Sequence, residues 1–120
     1  MGGTVSINPR HYRHKVTVER LDPNATGDEN GVVDEDDDDN WIRFVERYAS
    51  VFNKGGREVF RAQQIKANAT HLVRLPFDST SEKITTAMRF RHNGSKLNIV
   101  STSDVMGDRR ELEFICEESK

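Results

Sequence analysis

The groups in this chain suited to nucleophilic, acid–base or metal chemistry are few: four histidines, His11, His14, His71 and His92, and one cysteine, Cys116. His11 and His14 stand three apart where a tail runs into a strand, a geometry in which two ring nitrogens do not converge. None of the four shares a metal-ligand spacing with Cys or carboxylates. Cys116 alternates with Leu112 and Phe114 and so reads as a small buried hydrophobe. A single cysteine makes neither an intrachain disulfide nor a thiolate metal site. Gly55-Gly56 ahead of a helical segment is a faint anion-site signal, but it lacks a phosphate-cradling pattern and reads as a turn. No catalytic residue, metal or cofactor is expected.

The acidic run tests differently. From Asp22, residues Asn24, Thr26 and Gly27 fall at positions three, five and six of a calcium loop, but the twelfth position is Val33, where a bidentate Glu is required. The match fails. Asp34 to Asp39 can still attract divalent cations loosely, as any polyacid does, and the plain reading is a solvated charge run. Three glycosylation-type triplets, Asn24-Ala25-Thr26, Asn68-Ala69-Thr70 and Asn93-Gly94-Ser95, matter only in a secreted chain. Arg89-Phe90-Arg91 and Arg74 put cations on strands, as in nucleic-acid-binding barrels, yet Phe90 alternates with the arginines and should face the core, not a base.

The wider charge pattern is uneven. Nine of the 20 acids and none of the 18 Lys and Arg lie between Asp22 and Asp39, which leaves 11 acids against 18 bases elsewhere. A basic body can face nucleic acid or an acidic partner, and the acidic insert cannot bury itself. The 120 residues suit one domain, 1–120. Their 34% hydrophobic content, even with 8 Gly added, is below the ~45–50% typical of globular chains. Nothing approaches the ~18 apolar residues of a membrane span, and Met1 to Arg10 lacks a signal-peptide stretch. A soluble chain of intracellular origin is expected.

Several elements would carry these groups. Residues 1–10 read as a flexible tail. His14 to Arg20 alternates, with Val16 and Val18 on one face, and reads as a strand. Residues 22–40 then form a long mobile acidic loop, of a length that usually means function or disorder. Trp41, Phe44, Val45, Tyr48 and Phe52 fit a helical stripe, but Arg47–Asn53 is better read as a strand with Ala49 and Val51 inward. Arg57–Lys66 reads as one short helix, with Val59, Phe60, Ala62 and Gln63 inward. His71–Leu75 is a strand ended by Pro76. Ile84 to His92 alternates Met88 and Phe90 against Arg89 and Arg91. Asn93-Gly94 is a strong hairpin signal joining it to Lys96–Ser101. Arg110 to Glu117 alternates Leu112, Phe114 and Cys116 against Glu111, Glu113 and Glu117. The sum is a mainly β chain: a small antiparallel β-barrel or sandwich of five to six strands, with one short helix and a long acidic disordered loop.

Taken in order, these residues resemble the phage head–tail joining proteins, also called head-completion or stopper proteins. The resemblance runs from residue 11 to 118. It is carried by His11 to Arg20, by Trp41 after the variable loop, and by Tyr48-Ala49-Ser50-Val51. Gly56-Arg57-Glu58 with Ala62-Gln63-Gln64, Thr70-His71 and Ile84 to Phe90 continue it. His92 to Ile99 and Arg109 to Glu118 complete it. The six consecutive acids from Asp34 depart from the family pattern.

The resemblance implies a non-enzymatic virion protein that forms a ring beneath the portal or adaptor ring after packaging, helps retain DNA and offers the tail its docking surface. It implies portal, adaptor and tail proteins as partners. It places packaged DNA nearby in the channel without sequence-specific binding, and it involves no membrane. The location is the virion connector, reached from the host cytoplasm, and the isolated subunit can be a monomer. On this reading Asp28, Glu29, Asp34, Glu35, Asp36, Asp37, Asp38 and Asp39 form a channel or gating loop, unless they only solubilise the rim. Arg57, Glu58, Arg89, Arg91, Arg109 and Arg110 supply ring-contact charges on exposed edges and charged faces. A tail-completion or terminator protein and a nucleic-acid-binding small barrel are the alternatives.

Overall fold

The computed structural model describes residues 12–27, 31–53, 55–104 and 110–119. It contains six strands: β1 (His14–Leu21), β2 (Trp41–Asn53), β3 (His71–Pro76), β4 (Arg89–His92), β5 (Ser95–Asp104) and β6 (Glu111–Ser119). One helix, α1 (Arg57–Gln63), follows β2. The strands close into a barrel in the order β1-β2-β3-β6-β5-β4, each pair antiparallel. The barrel form expected from the sequence is therefore found. The exposed strand edges expected for ring contacts are not, because closure gives every strand two neighbours.

Period-two alternation fills the interior. Val16 and Val18 of β1, Ala49 of β2, Val73 and Leu75 of β3, Phe90 of β4, Leu97 and Ile99 of β5, and Phe114 and Cys116 of β6 form one buried cluster. Phe90 and Phe114 meet edge to face with centroids 5.3 Å apart. A second cluster lies outside the barrel wall, where Val59 and Ala62 of α1 cover Leu72 of β3 and Ile115 of β6. Strands β3 and β6 are thus buried on both faces, which explains the apolar residues of both parities in Leu72-Val73 and Phe114-Ile115.

Strand β2 is longer than expected, 13 residues from Trp41. Its first part pairs with β1 and its last four residues with β3. A register shift opposite Val18/Glu19 leaves Phe44 as an extra residue. That bulge breaks the alternation and produces the false helical spacing. Helix α1 ends at Gln63, and Phe60 is 66% exposed. A helix two turns long presents one narrow stripe to the wall, and Val59 and Ala62 occupy it. Of Ile84–His92 only the last four residues are strand. A 3-10 turn at Ser81–Lys83, organised by Asp78 accepting from the Thr80 and Ser81 amides, buries Ile84 instead. The β4–β5 hairpin turns through Asn93 at φ 50° and Gly94 at φ 82°, the left-handed pair of a type I′ turn.

Candidate functional site

The acidic segment is rooted in the barrel. Leu21 and Trp41 are ladder partners, and the Asp22 amide donates to the Asn40 carbonyl at 2.7 Å. The Asp34 and Asp37 carboxylates accept from the amides two residues on, Asp36 and Asp39, both at 2.9 Å. These are the local turns that Asp favours. The Asn40 side chain donates to the Asp34 carbonyl and the Trp41 indole N–H to the Glu35 carbonyl, again at 2.9 Å. A second close approach lies farther out, where a Cβ on Gly27 would fall 2.6 Å from the Gly31 carbonyl carbon. Only glycine allows the two backbone stretches to meet there.

One acid of the run reaches the barrel wall. The Asp38 carboxylate meets Arg89 at 3.1 Å and Lys96 at 3.2 Å, with Arg91 at 3.8 Å. Hydrogen bonds from Lys96, then from Arg89, hold its carboxyl below the usual Asp range. Arg89 is itself only 3% exposed. Its guanidinium lies 4.1 Å from the centre of the Trp41 ring and 2.8 Å from the Glu19 carboxylate, its cross-strand partner on β1. A buried arginine is tolerated because two carboxylates and an aromatic face surround it. Along the chain the acidic segment has no counter-charge; in space β4 and β5 supply three.

Two sets of residues singled out separately in the sequence are therefore joined: Asp38 from the loop, and Arg89 and Arg91 from the surface charges. Arg89 is not a surface charge at all, because the bulky Trp41 and Asp38 of the segment above lie over it, whereas the Arg91 side chain on the same face of β4 stays 36% exposed. Asp34, Glu35, Asp36, Asp37 and Asp39 are exposed. Asp28, Glu29 and Arg109 lie outside the described residues. Arg57 is exposed and Glu58 half-buried on α1, and Arg110 is exposed just before β6. Trp41, Glu19 and Lys96 were not singled out as site residues. The chain's one tryptophan directly after its acidic run was the available signal.

A second charged centre anchors α1. Glu113 on β6 is 6% exposed and accepts from Arg74 of β3 and Arg61 of α1, both at 2.9 Å. In the closed strand order the β3–β6 pair lies across the barrel from β1–β4. Neither centre holds a nucleophile. His14 and His92 touch edge to face at 5.1 Å, and burial keeps His92 below the ordinary histidine range. His11 lies outside the described residues. Cys116 is fully buried and its thiol is pushed up. Among the described residues no three His, Cys, Asp or Glu side chains group as metal ligands, and no helix is long and apolar enough to cross a membrane.

Compared with known proteins, residues 7–119 match the family model described as phage head completion protein. None of the curated proteins matches the chain.

Proposed function

Because the chain belongs to the phage head completion protein family, a family of virion structural proteins, we propose that it closes the filled head. Its subunits form a ring under the portal or adaptor, help retain packaged DNA and present the surface to which the tail docks. The observation that carries this reading is the combination of a closed barrel with an acidic segment pinned at Asp38 and otherwise open to solvent. Such a segment is displayed at a fixed place on a rigid support, which suits a collar in or beside a channel better than a loose solubilising tail. Around a ring the exposed acids would repel DNA phosphates and not grip them, so they would serve as a plug or a low-friction lining. A nucleic-acid-binding barrel that used the cations of β4 would set stacking aromatics among them, and there Phe90 is internal and Arg89 is covered.

The test is to make heads without this protein. Filled heads that leak DNA and fail to join tails, with both defects repaired by adding the purified protein, are expected. Heads that hold DNA and join tails normally would overturn the assignment.

A further inference from the structure

The outer face of α1 is not a surface that a free barrel needs. Val59 and Ala62 already fill the wall contact. Yet Phe60 is 66% exposed and Ile65, just past the helix, is 61% exposed. Arg57 and Lys66 flank them, both exposed. Arg57, Phe60 and Gln64 follow at helical spacing, so cation and aromatic share one stripe. Among the described residues neither Arg57 nor Lys66 has an ion-pair partner, whereas the neighbouring Arg61 is committed to Glu113. Large exposed side chains beside unneutralised cations mark a contact face for an acidic, partly apolar partner.

The same chain carries a surface of the opposite kind. Glu35 and Asp36 are exposed on the segment that Asp38 pins, and their side chains take no part in the turns that shape it. Val32, at its start, is 62% exposed. The pinned segment lies on the β1–β4–β5 side and α1 on the β3–β6 side, so one subunit's helix cannot meet its own acids. Two complementary patches on opposite sides of one subunit give head-to-tail contacts, and these propagate into closed rings when the rotation between copies closes.

We propose that the surface made by Arg57 and Phe60 of α1 and by Ile65 and Lys66 of the turn after it receives the acidic segment around Glu35-Asp36 of a second copy of this chain. The proposal rests on the ring reading above and supplies its subunit contact: charge steers the approach, and Phe60 and Ile65 exclude water from it. It also separates two uses of one acidic run. Asp38 faces inward to its own barrel, and the acids before it face the neighbour.

The test uses the full chain with Asp36→Cys and Ile65→Cys together; the native Cys116 is buried and does not compete. Under mild oxidation, in concentrated low-salt solution and on DNA-filled heads, the double variant should give a ladder extending beyond dimers. Each single variant, with no cysteine across the contact, should remain mainly monomer. Separately, Arg57→Glu with Lys66→Glu should weaken self-association at least tenfold, as should Glu35→Lys with Asp36→Lys. An equimolar mixture of the two variants should regain it. Heads that carry the protein and join tails but yield no ladder would overturn this contact and leave the ring reading standing. A dimer from Ile65→Cys alone as the main product would replace it with a helix-to-helix contact. Loss of DNA binding by the α1 variant without loss of self-association would also overturn it.

Discussion

Two charged centres on opposite sides of the barrel hold accessory elements by inverse means. At β1–β4 a buried cation, Arg89, gathers two carboxylates; at β3–β6 a buried anion, Glu113, gathers two guanidinium groups. The first holds the acidic segment and the second holds α1. They differ in what else is present. Helix α1 also buries Val59 and Ala62 against Leu72 and Ile115. The described residues of the acidic segment are held by ion pairs, by their turns and by the Asn40 and indole hydrogen bonds. One element is therefore fastened mainly by a salt-independent force and the other mainly by a salt-dependent one. A structural accessory and a responsive one thus sit on the same small scaffold.

The largest effect should come from Arg89→Ala. It removes the ring-stacked partner of Trp41 and leaves Glu19, 16% exposed, with only the longer 3.7 Å pair to Arg91. A loss of about 3–5 kcal/mol in denaturant unfolding is expected for breaking a buried pair from one side. Glu113→Ala should cost less, about 1–3 kcal/mol. The side chains of Arg74 and Arg61 are 25% and 52% exposed and can be rehydrated. Equal losses at the two centres would mean that exposure of the orphaned partners does not set the cost.

A third measurement separates the elements directly. Raising salt to ~1 M, where the Debye length falls to ~3 Å, should shift the emission of Trp41, the chain's one tryptophan. Amide protection in α1 should stay unchanged, and Asp38→Asn should reproduce the emission shift at low salt. Protection lost in α1 at the same salt would erase the contrast.

The smallest effect is in acid. The Asp38 carboxyl is lowered in the folded protein by Lys96 first and Arg89 second. Its contribution is therefore fully present above the ordinary Asp value of ~3.9 and is lost as pH falls through the lowered folded value. The Trp41 emission of the native protein should hold through pH 4 and step below it, and Asp38→Asn should lack that step. A step above pH 5 would show that another group controls the anchor.

The sequence was legible where local rules and tertiary packing agree. Alternation placed Val16, Val18, Phe90, Phe114 and Cys116 inside, and Asn93-Gly94 marked its hairpin. It misled where an element serves two neighbours. Strand β2 reads as a helical stripe because a bulge at Phe44 interrupts its alternation. Helix propensity alone lets Phe60 face inward beside Val59, but a seven-residue helix against a wall has room for only a narrow stripe. The candidate site was half legible: the acidic run and the Arg89-Phe90-Arg91 strand stood out, but not that they meet. Their contact spans about 50 residues and is created by barrel closure, which no local spacing encodes. Burial of Arg89 follows from Trp41 folding over it, so alternation put the residue on the right face and still gave it the wrong exposure.

The sealed position of Cys116 has a consequence for the lifetime of a particle. A virion is assembled among reducing thiols and then persists outside the cell, where accessible cysteines oxidise and cross-link. Here the one sulfur in the chain able to form a disulfide lies inside a closed wall beside Phe114, protonated and out of reach of oxidants. On the function proposed above, such a subunit would cross from one redox environment to the other without a change of covalent state, and its contacts would not have to withstand one.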